Sequence, residues 1–219
     1  MIYTFDCYGT LIDWLNGVRE IFSKLYPEYS NKVNEFIRYW GEADWREVSK
    51  GVYKPYREIL KIGFKYALDK LNLDYNDDIL RQMVESIYIW KPFPEVPLVL
   101  KEVREMGVEL GIISNTDRDF IYKSIENIGV EFDYIIVAED IRIYKPDHRV
   151  FIEAGRRLPK DKWIHISAYP EYDIIPASKA GIDTIFIDRY DYIGRGYAVE
   201  ATYIIKNFRD LIDLTKKIL

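Results

Sequence analysis

Cysteine and histidine are nearly missing from this chain: Cys7 stands alone, and His148 and His165 are the only histidines. A single thiol rules out an intramolecular disulfide, and so few thiols and imidazoles leave no Cys/His cluster for zinc. No stretch approaches the roughly twenty apolar residues that cross a bilayer, so no membrane role is expected. A dense Lys/Arg run is also missing, and 31 Lys+Arg against 36 Asp+Glu give a net charge of −5, which argues against nucleic acid as a partner. The opening MIYTFDCYG has neither the basic flank nor the cleavage site of a secretory signal, so a cytoplasmic location is expected. Gln82 is the sole glutamine, while Tyr, Ile, Lys and Glu abound, a composition that fits a thermophile's bias.

What is present is a soluble-type composition, 48% hydrophobic over 219 residues, enough to bury a core and hold an insertion. Short apolar runs without clean alternation predict strands buried on both faces at 2–5, 108–114, 134–139, 163–167 and 184–188. From 108 onward they alternate with helical patterns at 118–129, 148–158 and 174–181, and the segment after 188 reads as a loop, a short edge strand and a closing helix. The class is therefore α/β, an open Rossmann-like parallel sheet with right-handed crossovers. About a hundred residues without a convincing strand separate the first two strands, far more than a crossover needs. Helical patterns at 16–26, 31–49, 53–72 and 76–90 predict an inserted helical unit over 14–91, with 1–13 and 92–219 forming the core. Pro92, Pro94 and Pro97 mark the return to it.

Ligands of open parallel sheets bind at the carboxyl ends of the strands. The polar residues there are Asp6, Ser114 with Asn115, Glu139 with Asp140, and Ser167 through Asp173, with Lys145 in the loop after the third strand. Asp6 ends an apolar run and is followed by Gly9 and Thr10, which delivers a carboxylate to a turn where the backbone can approach a ligand closely. The aromatic residues Phe36, Tyr39, Trp40 and Trp45 recur at helical spacing and read mainly as core. Cys7, His148 and His165 read as structural.

Four stretches in chain order, FDCYGTLID, IISN, YKPDHRVF and DIIPASKAGIDTIFIDR, resemble the motifs of the haloacid dehalogenase superfamily, and the helical insertion resembles its cap domain. Phosphatases of that superfamily carry a second aspartate two positions after the nucleophile as general acid, and here that position is Tyr8. The sequence is most similar to the 2-haloacid dehalogenases, whose leaving halide needs no proton. The resemblance implies a hydrolase that converts short (S)-2-haloalkanoic acids to 2-hydroxy acids through an aspartyl ester, without a cofactor. Asp6 would be the nucleophile, Lys145 would hold it ionised, and Asp173 would activate water. Tyr8, Thr10, Ser114, Asn115 and Ser167 would bind substrate, the anion held by Thr10, Ser114 and backbone amides and the halide aided by Asn115.

The family's cap arginine, which binds the leaving halide, is expected at Arg38, with Arg46 as a rival. The tyrosine six residues after the catalytic lysine is Phe151 here, and a gapless comparison puts Ala168 and Pro170 where dehalogenases have serine and asparagine. A one-residue insertion restores Ser167 and places Tyr169 at the asparagine. Two alternatives stand beside this reading. One is a Mg²⁺-dependent phosphatase with the metal on Asp6, Tyr8 and Asp173; the other is a non-catalytic binding protein. The partner implied is a small carboxylate, and a homodimer through the aromatic-rich cap is the oligomer the resemblance suggests.

Overall fold

The computed structural model describes residues 1–159 and 162–219. The apolar run Ile2–Phe5 forms β1, fully buried on both faces as its lack of alternation requires. Helices α1 (Trp14–Leu25), α2 (Val33–Val48), α3 (Tyr56–Leu71) and α4 (Asp77–Glu85) follow it. The chain then enters α5 (Val96–Glu105), β2 (Glu109–Ser114), α6 (Arg118–Ile128), β3 (Tyr134–Val137), the short α7 (Ala138–Ile141), α8 (Arg149–Arg157), β4 (Trp163–Ser167), α9 (Ile175–Lys179), β5 (Asp183–Ile187), β6 (Tyr203–Ile205) and α10 (Asp210–Ile218). All pairings are parallel and the strand order is β3-β2-β1-β4-β5-β6. The order reverses at β1, so its carboxyl end opens into the crevice of a topological switch point.

Two predicted elements change type before their expected ends. The third strand stops at Val137, because Ala138 begins α7 and the Glu139 carboxylate turns to accept the Arg118 backbone N–H at 2.6 Å. The fourth helix of the insertion ends at Glu85, where Ser86 Oγ donates back to the Met83 carbonyl at 2.6 Å and the chain tightens into a 3₁₀ turn, Ser86–Ile89.

The helices of the insertion are amphipathic, and their apolar faces join the sheet in one continuous core. Aromatic rings carry it: Phe22 meets Phe36 at 4.7 Å between centroids, Trp40 meets Phe64 at 5.0 Å and Trp14 at 5.0 Å, and Tyr8 meets Trp90 edge-on at 5.9 Å. Helix α3 follows Pro55, which has no side chain able to cap it. The cap comes from across the fold, where the buried Asp117 accepts the Tyr56 N–H at 2.6 Å and the Arg57 N–H at 3.1 Å, and also takes Arg57 Nε at 2.9 Å. Charge at a helix N-terminus and satisfied N–H groups both favour this arrangement.

After β1 the chain turns tightly, with the amides of Leu11 and Ile12 returning to the Cys7 carbonyl at 2.8 and 2.9 Å. Gly9 sits there at φ +95°, and a Cβ on it would lie 2.1 Å from the Tyr169 hydroxyl. Gly9→Ala is therefore expected to lower stability by roughly 1–3 kcal/mol, read from urea denaturation; an unchanged midpoint would show that the turn relaxes freely.

Candidate active site

The sheet order brings three distant residues together. Asp6 continues β1, its N–H donating to the Ile166 carbonyl at 3.0 Å. Lys145 enters from the loop after α7 and Asp173 from the turn after β4. Lys145 Nζ donates to Asp6 Oδ1 at 2.8 Å, Asp173 Oδ1 at 2.6 Å and the Ile113 carbonyl at 2.9 Å, which uses all three of its N–H groups. Its backbone is fixed as well, because Asn115 Nδ2 donates to the Lys145 carbonyl and Asn115 Oδ1 accepts its N–H, both at 2.8 Å.

The second oxygen of Asp6 accepts from Thr10 Oγ1 at 2.9 Å, and Thr10 in turn accepts the Ala168 N–H at 3.1 Å. Both Asp6 carboxylate oxygens are thus held in place. Burial pushes the Asp6 carboxyl up to about 6, against the lowering pull of Lys145. Burial also works to raise Asp173, but the Lys145 ammonium and the hydrogen bond from His165 outweigh it and hold that carboxyl below the usual range. Lys145 itself would be lowered by burial, yet the two carboxylates raise it and keep it charged.

His165, which reads from sequence as structural, is part of this network. Its Nε2 lies 2.9 Å from Asp173 Oδ1 and its Nδ1 2.9 Å from Thr4 Oγ1. Burial lowers its pKa, so the ring is neutral; with an acceptor at Nε2 the proton sits there, and Thr4 donates to Nδ1. Lys145 and His165 together engage one oxygen of Asp173, while Oδ2 is buried without a partner. The sequence signal was His165 on an otherwise apolar strand, eight residues before Asp173.

A cavity of about 280 Å³ opens above Asp6. Its sheet side is made by Asp6, Tyr8, Ser114, Asn115, Lys145 and Asp173. The insertion supplies Trp14, Trp40, Gly41, Asp44, Trp45 and Tyr56, with Trp90, Tyr169 and Tyr172 completing the wall. Tyr8 presents only its ring, for its hydroxyl is paired with Ser124 Oγ at 3.0 Å. Asp44, not singled out by sequence reasoning, takes Tyr56 Oη at 3.1 Å and Tyr172 Oη at 3.3 Å, and desolvation pushes it up to about 6. Its position one turn after Trp40, on the face that carries the aromatic residues, is the sequence signal from which it could have been found.

Other expected residues lie elsewhere. Arg38 pairs with Glu42 at 2.7 Å and stacks on Tyr39, because Phe36 and Trp40 take the inward face of α2 and turn the residue midway between them to solvent. Arg46 rests on the Tyr66 ring at 4.6 Å and does not line the cavity either. Ser167 is buried below the cavity, where its Oγ accepts the Tyr169 N–H at 3.0 Å. Glu139 and Asp140 engage Arg118. Residues Pro170–Ile174 form a π turn, which holds one residue more than an α turn. Tyr169, just before this turn, stands at the cavity wall, with Trp14 Nε1 donating to its hydroxyl at 2.7 Å.

A Mg²⁺ bound as in the superfamily's phosphatases would draw on Asp6, Tyr8 and Asp173. These do not fit a set of oxygen ligands: the Lys145 ammonium lies between the two carboxylates, and the Tyr8 hydroxyl is turned to Ser124. Among the described residues no group of three His, Cys, Asp or Glu is placed to hold a metal. Lys145→Met leaves two buried carboxylates without their cation and is expected to cost roughly 3–5 kcal/mol at neutral pH. The loss should shrink as the pH falls and the carboxylates take up protons; a flat difference between pH 4 and 7.5 in denaturant titrations would contradict this account of about those energies.

The family that matches this chain is described as haloacid dehalogenase-like hydrolase, over residues 3–187. Haloacetate dehalogenase H-2 of Moraxella sp. (strain B) is 29% identical over 194 residues, which is 86% of this chain and 85% of that protein. Glyceraldehyde 3-phosphate phosphatase of Methanopyrus kandleri is 31% identical over 187 residues, 78% of this chain and 79% of its own. In structure, the L-2-haloacid dehalogenase of Xanthobacter autotrophicus with chloropropionic acid covalently bound has a TM-score of 0.85 at 20% identity, covering 100% of each chain.

Proposed function

The chain belongs to the haloacid dehalogenase-like hydrolase family, and from that footing we propose that it cleaves the carbon–halogen bond of short (S)-2-haloalkanoic acids without a metal, giving 2-hydroxy acids. The observation that carries this reading is Tyr8. At the place where a phosphatase keeps its general acid the cavity has a phenol ring whose hydroxyl is committed to Ser124. A halide leaves as a stable anion and needs no such acid, whereas an alkoxide does. The haloacetate dehalogenase relative supports the reading. The phosphatase relative favours a Mg²⁺-dependent alternative, which the donor set around Lys145 does not support.

In the first step one Asp6 oxygen attacks C2, the C2–halogen bond breaks, and the halide departs with its electron pair, leaving an ester of inverted configuration. Water then gives a proton to Asp173 Oδ2, the unpartnered oxygen, and its hydroxide adds to the ester carbonyl carbon. With the ester formed at Oδ2, Lys145 stabilises the negative charge that develops on Asp6 Oδ1. Collapse breaks the bond to the 2-hydroxy acid, whose oxygen takes the proton back from Asp173, and Asp6 returns to its carboxylate with release of one proton to solvent. His165 orients Asp173 throughout. Residues 14–91 act as the cap over a core of 1–13 and 92–219; its aromatic residues exclude water from the displacement step.

Chloride release from (S)-2-chloropropionate is expected to persist in EDTA and to vanish in Asp6→Asn. Phosphate release from a generic ester that depends on Mg²⁺, with no halide from either enantiomer, would refute the reading. Because Asp6 must attack as a carboxylate and its pKa is pushed up to about 6, kcat/KM should be level above that pH and fall below it. A profile flat from pH 4.5 to 8 would remove Asp6 from the role of about that titration.

A further inference from the structure

Asp44 is the one acid in the cavity for which the hydrolysis above has no use. It projects from α2, and two phenols on separate elements hold its oxygens, Tyr56 at Oδ1 and Tyr172 at Oδ2. A carboxylate has about four acceptor positions, so about half remain open toward the cavity that Asp44 lines. No cation is available to it there. Lys145 is the only Lys or Arg lining the cavity among the described residues, and its three N–H groups are already engaged. Both arginines expected near this place lie outside, Arg38 on Glu42 and Arg46 on Tyr66.

An acceptor in this position, beside Trp40 and Trp45, favours a substrate that brings it a hydrogen-bond donor. An alkyl group would strip water from the carboxylate and return nothing. The substrate's own carboxylate belongs on the sheet side, where Ser114 Oγ is buried without a partner. Resting on the dehalogenase reading, we propose that Asp44 is a specificity-determining residue that accepts a hydrogen bond from a hydroxyl on the substrate's carbon chain. The preferred substrates are then short 2-haloacids with a hydroxyl at C3.

Two acids of nearly equal shape test this, 2-chloro-3-hydroxypropanoate and 2-chlorobutanoate, in which a hydroxyl replaces a methyl. Chloride release by the wild-type protein should favour the hydroxylated acid at least about tenfold in kcat/KM. In Asp44→Leu the ratio should fall to about one or below, while Asp44→Asn, whose amide oxygen still accepts, should keep part of it. Equal kcat/KM in the wild type overturns the proposal, as does a preference that survives in Asp44→Leu. Thermal denaturation checks that the variants fold, and the wild-type ratio decides even where one does not. Chloride from 2-chlorobutanoate at equal or greater efficiency overturns this inference alone. No chloride from these acids or from 2-chloropropionate overturns the dehalogenase reading and the inference with it.

Discussion

One buried ammonium holds the site together. Lys145 is 1% exposed and lies between two carboxylates that would otherwise repel each other in a medium of low polarity. Its charge lets Asp173 stay ionised, moderates the rise at Asp6, and sets both side chains at hydrogen-bonding distance of one centre. Because all three N–H groups are used, the lysine is a fixed electrostatic element and cannot also grip a substrate. The rest of the architecture serves that geometry: β1 and β4 deliver Asp6 and Asp173, the β2 carbonyl of Ile113 takes the third N–H, and Asn115 pins the backbone from which Lys145 extends.

The core was largely legible because its signals are local. Short two-face-buried strands, the Asp6 turn and the loop bearing Lys145 each follow from contiguous residues, and parallel topology fixes where they meet. Residues whose role depends on orientation were not. Arg38 is a reasonable cap cation by position in the chain, yet helical phase turns it outward once Phe36 and Trp40 claim the core. Asp44 was passed over for the converse reason: an acid in a charged helix reads as solvated until the fold shows two phenols closing on it. His165 reads as structural from sequence because the path of the residues between it and Asp173, which includes the first part of the π turn, is set by no local pattern.

The same turn shapes the cavity wall. Tyr169, just before it, and Tyr172, within it, line the cavity, while Ser167 Oγ accepts the Tyr169 N–H. Large aromatic side chains thus stand beside Asp173 in the cavity wall, and His165 donates to its Oδ1.

Helix α3 lacks a cap of its own and borrows the carboxylate of Asp117 from the loop after β2. The helical insertion and the sheet are consequently not interchangeable modules. A chimera that grafts this insertion onto a foreign core, or a foreign insertion onto this core, would leave either a bare helix N-terminus or a buried, unpaired carboxylate at the junction. Recombination within such a family would succeed only where the position of Asp117 and the start of α3 are inherited together.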